Sequence, residues 1–176
     1  RHPGVAGAGD TTGAAGVAGA APQDARSSAW AEQRVAGDGV AGFGGDGGAA
    51  TSARLSFPRG VAVDGSGNVL VADHLNHRVR KIDTSGVITT VAGIGMQGFS
   101  GDGGPATAAA LRFPQRVAVD SSGRVLISDS NNSRVRVVDT NGDITTVNAS
   151  LSQPVGIALN ASGDLFIADT GQSRIR

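Results

Sequence analysis

Two histidines in one short loop are the side chains of this sequence best suited to chemistry. His74 and His77 form a His-x-x-His arrangement, and imidazole nitrogens are common ligands of zinc and other transition metals. A metal site needs at least a third protein ligand. The sequence offers no cysteine, and the remaining histidine, His2, lies far away in the chain. The pair is therefore a weak metal candidate, and we predict neither a metal site nor another cofactor.

A second set of polar residues recurs three times with one spacing. Each copy has an aspartate, an amide three residues later and an arginine two residues after that, at Asp73, Asn76, Arg78, Asp129, Asn132, Arg134, Asp169, Gln172 and Arg174. An active site is normally built once, from copies that have diverged, so this repetition favours a structural role. We expect the three side chains of each copy to brace a loop through hydrogen bonds and charge pairing.

The elements that carry these residues are copies of one unit. Three repeat cores occupy residues 55–93, 111–147 and 151–176. Their leading prolines are separated by 56 and then by 40 residues, and a glycine-rich insert accounts for the longer interval. An underlying period of about 40 residues is typical of propellers and other repeat folds.

Within each core, short segments of small and β-branched residues alternate with turn compositions. The pattern predicts four short strands per unit, which is the composition of a β-propeller blade. The first strand carries little bulk, as suits the crowded axis of a propeller. Gly67, Gly123 and Gly163 recur at one turn position, where we expect a positive φ.

The core motif resembles the NHL repeat. The resemblance is carried by Pro-x-Gly-Val-Ala-Val-Asp and by Gly-Asn-Val-x-Val-Ala-Asp-x-x-Asn-His-Arg-Val-Arg in the first core, and it covers residues 35–176. It implies an all-β, NHL-type β-propeller of four-stranded antiparallel blades. About three blades are present, as part of a six-bladed or larger propeller.

Two inserts, at residues 35–55 and 91–111, are identical at 14 of 21 aligned positions. Each contains Gly-Asp-Gly-Gly, and we expect its aspartate, Asp46 or Asp102, to accept hydrogen bonds from glycine amides of the turn. The inserts resemble the inter-blade connection of some NHL proteins. Strand parity predicts that they enlarge the end of the propeller that carries His74 and His77. Phe43 and Phe99 would then join those histidines on a possible interaction face.

Composition excludes several classes of protein. Fifteen basic and fifteen acidic residues give no net charge, and neither a Lys/Arg cluster nor an aromatic stacking platform stands out. The sequence therefore predicts no nucleic-acid binding. The absence of cysteine excludes a disulfide framework. No apolar run is long enough for a membrane span, so no membrane insertion is expected.

Residues 1–34 are rich in glycine and alanine and hold no full blade. They are either an irregular, flexible leader or a degenerate copy of the insert, in which case Trp30 would fill an apolar pocket. Since the chain begins at Arg1 and stops inside a repeat, we expect a piece of a longer protein.

Three Asn-x-Ser sequences stand at Asn131, Asn148 and Asn160. In a secreted eukaryotic protein such sequences are acceptors for N-glycosylation. Their clustering in the second and third cores favours an extracellular or cell-surface protein.

Strand counting bears on assembly. An outer strand at Val35 and eleven strands in the cores sum to three blades, whereas propellers have four to eight. The missing blades could come from other segments of the parent protein or from a second copy of the chain. A third alternative is an open array that self-associates through exposed blade edges.

Three functions are compatible with the sequence. The first is a noncatalytic scaffold or module that binds a protein partner through its loops. The second is a structural subunit of a surface filament or appendage. The third is an enzyme, because some NHL propellers resemble a metal-dependent lyase. That activity requires convergent histidines and a tyrosine or an equivalent acid/base group, and this sequence has no tyrosine. We therefore predict that the protein is not an enzyme.

Overall fold

Short strands and 3-10 turns make up the described part of the chain. The computed structural model describes residues 33–176. Its strands are β1 (Pro58–Val63), β2 (Val69–Asp73), β3 (Arg78–Ile82), β4 (Ile88–Ala92), β5 (Gly104–Pro105), β6 (Pro114–Val119), β7 (Val125–Asp129), β8 (Arg134–Val138), β9 (Asp143–Asn148), β10 (Pro154–Leu159), β11 (Leu165–Asp169) and β12 (Arg174–Ile175). Three-residue 3-10 turns lie at Ala50–Ser52, His74–Asn76, Ala106–Ala108, Ser130–Asn132 and Thr170–Gln172.

The strands form three antiparallel sheets, which are the blades. The first has the order β1-β2-β3-β4, the second β6-β7-β8-β9 with β5 added beside β9, and the third β10-β11-β12. The predicted all-β fold of a partial propeller is therefore confirmed. We call one end of the blades the loop end, since it carries the loops 74–77, 130–133 and 170–173. The opposite turn end carries the turns 64–68, 83–87, 120–124, 139–143 and 160–164.

Turns led by Asp64 and Asp120 connect the first two strands of the first two blades, and Asn160 leads the equivalent turn of the third. In the first blade, the Asp64 carboxylate accepts hydrogen bonds from the N–H groups of Ser66 and Asn68, both at 2.9 Å. Gly67 has a φ of 86°, and the equivalent glycines of the other blades have 85° and 87°. The predicted positive φ is thus present in all three turns, because the chain must reverse within a few residues.

The inner strands of neighbouring blades approach each other closely. A Cβ atom on Gly60 of β1 would lie 2.6 Å from the Cα of Arg116 and 2.7 Å from the carbonyl oxygen of Gln115, both in β6. Only a residue without a side chain permits this contact. The low bulk predicted for the first strand therefore has a direct cause at this position.

Most of the core lies between the first two blades. Leu70 and Val79 of the first blade pack with Val117 of the second, and all three are at most 5% exposed. Ala109 and Leu111 of the second insert complete the same cluster and have no exposed surface. The insert is therefore part of the blade interface as well as a surface connection.

Each insert also protects the outer edge of the blade that follows it. Gly104 and Pro105 pair with Ile144 and Asp143 at the start of β9, and Ala49 bridges to Val87 in the first blade. These contacts lie near the turn end, so the insert leaves the loop end and returns to it. The sequence predicted that the inserts enlarge the loop end, but it did not reveal that they also pair with the outer strand, whose edge would otherwise be open.

No segment within residues 33–176 covers the two terminal blade faces. Val61 and Val63 of β1 are 60% and 64% exposed, whereas Val117, the counterpart of Val61 in β6, is 5% exposed because the first blade covers it. On the third blade Phe166 is 46% exposed, although its counterpart Leu70 is 1% exposed. Each face therefore has the apolar character of a blade interface.

Two expectations concern the start of the chain. Val35, expected to begin an outer strand, lies in no strand. Its counterpart Val91 lies in β4, which pairs with β3, the third strand of its blade. Within residues 33–176 no equivalent of β3 lies beside Val35. The interpretation of the leader, including Trp30, falls almost wholly outside the described residues.

Within the described range no helix has the length and apolarity that crossing a bilayer requires.

Candidate interaction face

The loops of the loop end are braced by their leading aspartate. In the first blade, Asp73 is fully buried and accepts hydrogen bonds from the N–H of Ser56 at 2.7 Å and from the Asn76 side chain at 2.7 Å. The Asn76 amide also donates to the carbonyl of Gly42, in the preceding insert. Burial raises the pKa of Asp73, and the hydrogen bonds from Asn76 and Ser56 oppose that shift.

The second blade repeats this arrangement, and the third changes it. Asp129 accepts from Asn132 at 2.7 Å, and burial raises the pKa of Asp129 as well. In the third blade Asp169 accepts from Arg174 at 3.0 Å, while Gln172 is exposed. The N–H of Ser152 is the main cause that lowers the pKa of Asp169. The equivalent aspartates therefore have opposite pKa shifts although all three are fully buried, and Asp169 differs in lying beside two arginines, Arg174 and Arg176, without an insert around it.

Arg78 and Arg134 make different contacts from the charge pairing that the sequence predicted. Arg78 donates to the carbonyls of Gly93 and Ile94, both at 2.7 Å, and its guanidinium lies 4.0 Å above the ring of Phe43. Arg134 lies 3.7 Å above the ring of Phe99. Arg78 thus holds the inserts by carbonyl and cation–π contacts, and Arg134 holds its insert by a cation–π contact, rather than by pairing with the aspartate.

The arginine two residues later, which sequence reasoning missed, makes the charge pair. Arg80 has no exposed side-chain surface and lies 2.6 Å from Asp46 and 3.4 Å from Asp73. Arg136 repeats this with Asp102 at 2.7 Å and Asp129 at 3.6 Å. The signal was available, since Arg-x-Arg recurs in each core and alternation places both arginines on one face of the strand.

The insert aspartates therefore have partners other than those expected. Asp46 receives the Arg80 guanidinium and, at 2.7 Å, the hydroxyl of Thr90. Asp102 receives Arg136 and Thr146 in the same way. The expectation of glycine-amide donors was wrong, because a buried guanidinium needs a carboxylate.

The two phenylalanines of the expected interaction face are half exposed. Phe43 is 46% and Phe99 43% exposed. One face of each ring is covered by two arginines, with Arg80 at 4.9 Å from the Phe43 centroid in addition to Arg78. Each ring therefore serves the insert and offers only its remaining surface to a partner.

His74 and His77 both contact the second blade. His74 Nδ1 donates to the carbonyl of Pro114 at 3.0 Å, and His77 Nδ1 accepts the N–H of Phe113 at 3.2 Å. The Phe113 ring lies 5.2 Å from the His74 ring and 4.6 Å from the His77 ring. Burial lowers the pKa of both histidines. Residues 33–176 contain no group of three or more histidine and carboxylate side chains placed to hold a metal ion.

One contact of His74 recurs at the next blade interface. The hydroxyl of Ser130, the counterpart of His74, donates to the carbonyl of Pro154. In the third blade Thr170 takes this position. It is exposed, and its hydroxyl donates to the carbonyl of Ala168 in the same blade. In the first two blades the first residue of the loop therefore reaches the proline that opens the following blade.

A cavity of about 520 Å³ lies between the first two blades at the turn end. Apolar residues and Lys81 line it, together with Asp64 and Asp139. Turn hydrogen bonds lower the pKa of both carboxyl groups, first among them the Asn68 side chain for Asp64 and the Asp143 N–H for Asp139. The cavity thus has no carboxyl group tuned to act as a general acid near neutral pH.

Several side chains that differ between the copies are exposed at the loop end. Leu75 is 42% and Met96 67% exposed. Arg59, Arg112 and Arg116 are exposed as well, and the Arg59 guanidinium donates to the Gln115 side chain at 2.8 Å. Exposed methionine and arginine are enriched at protein–protein interfaces.

The three candidate glycosylation sites differ in position. Asn131 is exposed at the loop end and Asn160 is exposed at the turn end. Asn148 is half-buried at the end of β9, where its side chain accepts the N–H of Ser150.

Comparison with known families agrees with this geometry. Residues 35–99 match the teneurin NHL domain, and residues 111–138 and 151–176 match the NHL repeat. The chain belongs to the NHL-repeat family. These matches fall on the blades and their connections, as the motif in the cores predicted.

The relatives of this NHL chain are much longer proteins. It is 33% identical over 100 residues to the Arabidopsis thaliana protein SUPPRESSOR OF QUENCHING 1, chloroplastic. The aligned region covers 56% of this chain and 9% of that protein. It is 37% identical over 107 residues to Homo sapiens teneurin-1, covering 53% of this chain and 4% of that protein. The NHL chain therefore spans less than a tenth of either relative.

Solved structures agree on the fold. A streptogramin B lyase structure superposes with a TM-score of 0.52 at 20% identity, covering 67% of this chain and 36% of that chain. At this identity the likeness establishes the propeller fold only.

Proposed function

We propose that this NHL segment is a noncatalytic protein-interaction module that binds its partner at the loop end. The observation that carries the proposal is the separation of two kinds of residue. The residues that repeat in the first two blades, such as Asp73 and Arg80, face inward and brace the loops. Several side chains that differ between copies, such as Leu75 and Arg116, are exposed. The variable position of His74 and Ser130 is an exception, since both side chains are buried.

This separation suits recognition for a physical reason. Loops that are braced by buried hydrogen bonds lose little conformational entropy on binding, which lowers the free-energy cost of association. Apolar and arginine side chains on that rigid frame would supply most of the binding energy. The match to the teneurin NHL domain supports a module of this kind.

The geometry supports a noncatalytic role over a lyase-like one. The Nδ1 atoms of His74 and His77 are engaged with Pro114 and Phe113, and no third metal-ligating side chain lies with them among residues 33–176. The carboxyl groups that line the cavity have lowered pKa values, and a general acid would need the opposite shift.

Site-specific photocrosslinking tests the proposal. We would place p-benzoylphenylalanine at Leu75, on the loop end, and at Ser122, which is exposed on the turn end, as the matched control. Both proteins would be irradiated in an extract of the native source. The proposal predicts a discrete adduct from position 75 and none from position 122. An adduct confined to position 122, or none from either position, contradicts it.

A structural subunit that self-associates is the second candidate, favoured by the uncovered blade faces. Val63 and Phe166 would form an interface of the kind already present between the first two blades. Light scattering at increasing concentration would then give a rising mass, and Val63→Asp would abolish the rise. One constant mass at every concentration argues against this candidate.

We also propose an extracellular or cell-surface location, supported by exposed Asn131 and Asn160. Expression through a eukaryotic secretory pathway should give a product whose mass falls on treatment with an N-glycosidase. Asn131→Gln and Asn160→Gln should remove that change. A secreted product without glycans would remove the support that the Asn-x-Ser sequences give to this location.

A further inference from the structure

Positive charge is concentrated at the loop end although the chain has no net charge. The turns of the opposite end carry one basic residue, Arg124, against six acidic ones, Asp64, Asp83, Asp120, Asp139, Asp143 and Asp164. At the loop end the carboxylates are engaged with arginines, as in the pairs Asp38–Arg54 and Asp46–Arg80. Arg59, Arg112 and Arg116 are exposed and form no ion pair with any of the described residues.

These three arginines lie along one seam between the first two blades. Arg59 bonds to Gln115, the neighbour of Arg116, and the backbones at Gly60 and Arg116 are in contact. Arg112 precedes Phe113, whose N–H donates to His77. We name Arg59, Arg112 and Arg116 the arginine seam.

The charge of the seam also reaches the loop histidines. Burial lowers the pKa of His77, and the positive charges of His74 and Arg112 lower it further. Burial is also the main cause for His74, to which the charge of Arg59 adds. Arg59 and Arg112 therefore act in the same direction as burial, which is the larger cause, and lower the pKa of the adjacent histidines.

The arginine seam is not a requirement of the repeat. The positions of Arg112 and Arg116 are Ser56 and Gly60 in the first blade, and serine and glycine again in the third. Arg59 corresponds to Gln115 and Val155. Since the fold forms blades without these arginines, their role lies outside the folding of the unit.

We propose that the arginine seam binds an acidic peptide segment of a protein partner, with its carboxylates held by the three guanidinium groups. This proposal rests on the proposed function and specifies the partner. Guanidinium groups form bidentate bonds with carboxylates. The backbone of Leu75 is held near the seam, because its N–H donates to the carbonyl of Ser56, three residues before Arg59. Its exposed side chain can contact apolar residues of such a peptide.

A peptide fits the seam better than a nucleic acid does. Single-stranded nucleic acids are held by free aromatic faces as well as by positive charge. Here Phe43 and Phe99 carry arginines on one face, and Phe113 contacts two histidines. These three rings are thus engaged, and although Phe57 is 65% exposed, a single exposed ring beside Arg59 gives no platform for successive bases.

Fluorescence anisotropy with the full chain tests this inference. The probe is a labelled peptide of alternating Glu and Leu, and the control probe has Gln in place of each Glu. We expect the Glu peptide to bind more tightly than the Gln peptide, and binding should weaken with added salt. The triple variant Arg59→Gln, Arg112→Gln, Arg116→Gln should bind the Glu peptide roughly ten- to hundred-fold more weakly.

A matched single substitution controls for the loss of charge. Arg116→Gln should weaken binding, whereas Arg124→Gln, at an exposed arginine of the turn end, should not. Equal effects of the two variants, or equal binding of both peptides, would overturn the proposal. Tighter binding of a single-stranded oligoribonucleotide than of the Glu peptide would also overturn it. If position 75 crosslinks to a partner while the Glu peptide fails to bind, this inference alone fails and the interaction module stands.

Discussion

The guanidinium of Arg80 lies 2.6 Å from the carboxylate of Asp46, which precedes it by 34 residues. The pair Arg136 and Asp102 repeats this contact at 2.7 Å and at the same separation. In each case the arginine belongs to the third strand of a blade and the aspartate to the insert before that blade. This ion pair therefore holds the glycine-rich insert against the third strand of the blade.

Removing the buried arginine should destabilise the protein strongly. Arg136→Met leaves Asp129, which is fully buried, without its charge partner, and it frees Asp102 from the strand. Loss of one partner of a buried ion pair costs about 3–5 kcal/mol. Chemical denaturation followed by circular dichroism would measure the free energy of unfolding.

An exposed arginine provides the control for that experiment. The Arg124 side chain is 55% exposed and lies 2.6 Å from Asp120. Because such surface pairs contribute about 0–1 kcal/mol, Arg124→Gln should have little effect. Similar losses in the two variants would mean that the insert is not held by Arg136.

The contact between the inner strands predicts intolerance of a single methyl group. Gly60→Ala would place a Cβ 2.6 Å from the Arg116 backbone, which cannot move away without separating the blades. Overpacking of this kind costs about 1–3 kcal/mol. Gly65→Ala is the matched control, since a Cβ there meets no atom within 4 Å. Thermal unfolding of both variants would test the blade order, and equal melting temperatures would refute it.

The loop histidines predict a stability that depends on pH. Burial lowers the pKa of His74 and His77 in the folded protein below the ordinary value of 6.5. Their contribution is therefore complete above pH 6.5 and is lost as the pH falls below it, because the unfolded chain takes up protons first. Protonation of His77 Nδ1 would also remove the acceptor of the Phe113 N–H.

The expected loss between about pH 7.5 and about pH 5.5 is on the order of 1 kcal/mol, the value of one hydrogen bond. Melting temperatures at the two pH values would measure it, with His2→Gln in all samples to remove the remaining histidine. His77→Ser, which introduces the residue of the second blade, should flatten the dependence. A dependence that is unchanged by this substitution would place its origin elsewhere.

The blades were predictable from sequence because repetition and alternation report local structure. The four strands of the first two cores, the positive φ at Gly67 and the low bulk near the axis all follow from neighbouring residues. The aspartate and amide of the first two copies could also be paired, since they are only three residues apart. Such contacts form within one loop and leave a regular pattern in the chain.

The remaining features depend on contacts between distant segments. Sequence reasoning chose Arg78 rather than Arg80, because the choice depends on which arginine faces the insert. The environment of His77 depends on Phe113, which is 36 residues away. Val35 lacks a strand because pairing requires a neighbour that its local sequence does not reveal. Arg116 has glycine at its counterparts in the other two cores, so the repeat does not single it out. That its side chain is exposed becomes visible only in the assembled blades.

The affinity of loop-end variants for the crosslinked partner tests the central claim most directly. The variant Leu75→Ser, Met96→Ser removes exposed apolar surface from the loop end, and Ser66→Ala, Ser122→Ala makes a matched change at the turn end. Titration calorimetry would give the dissociation constant of each. An interaction module that binds through its loop end predicts at least about tenfold weaker binding for the first variant and no change for the second. Unchanged binding in the first variant, or weakening confined to the second, would contradict it.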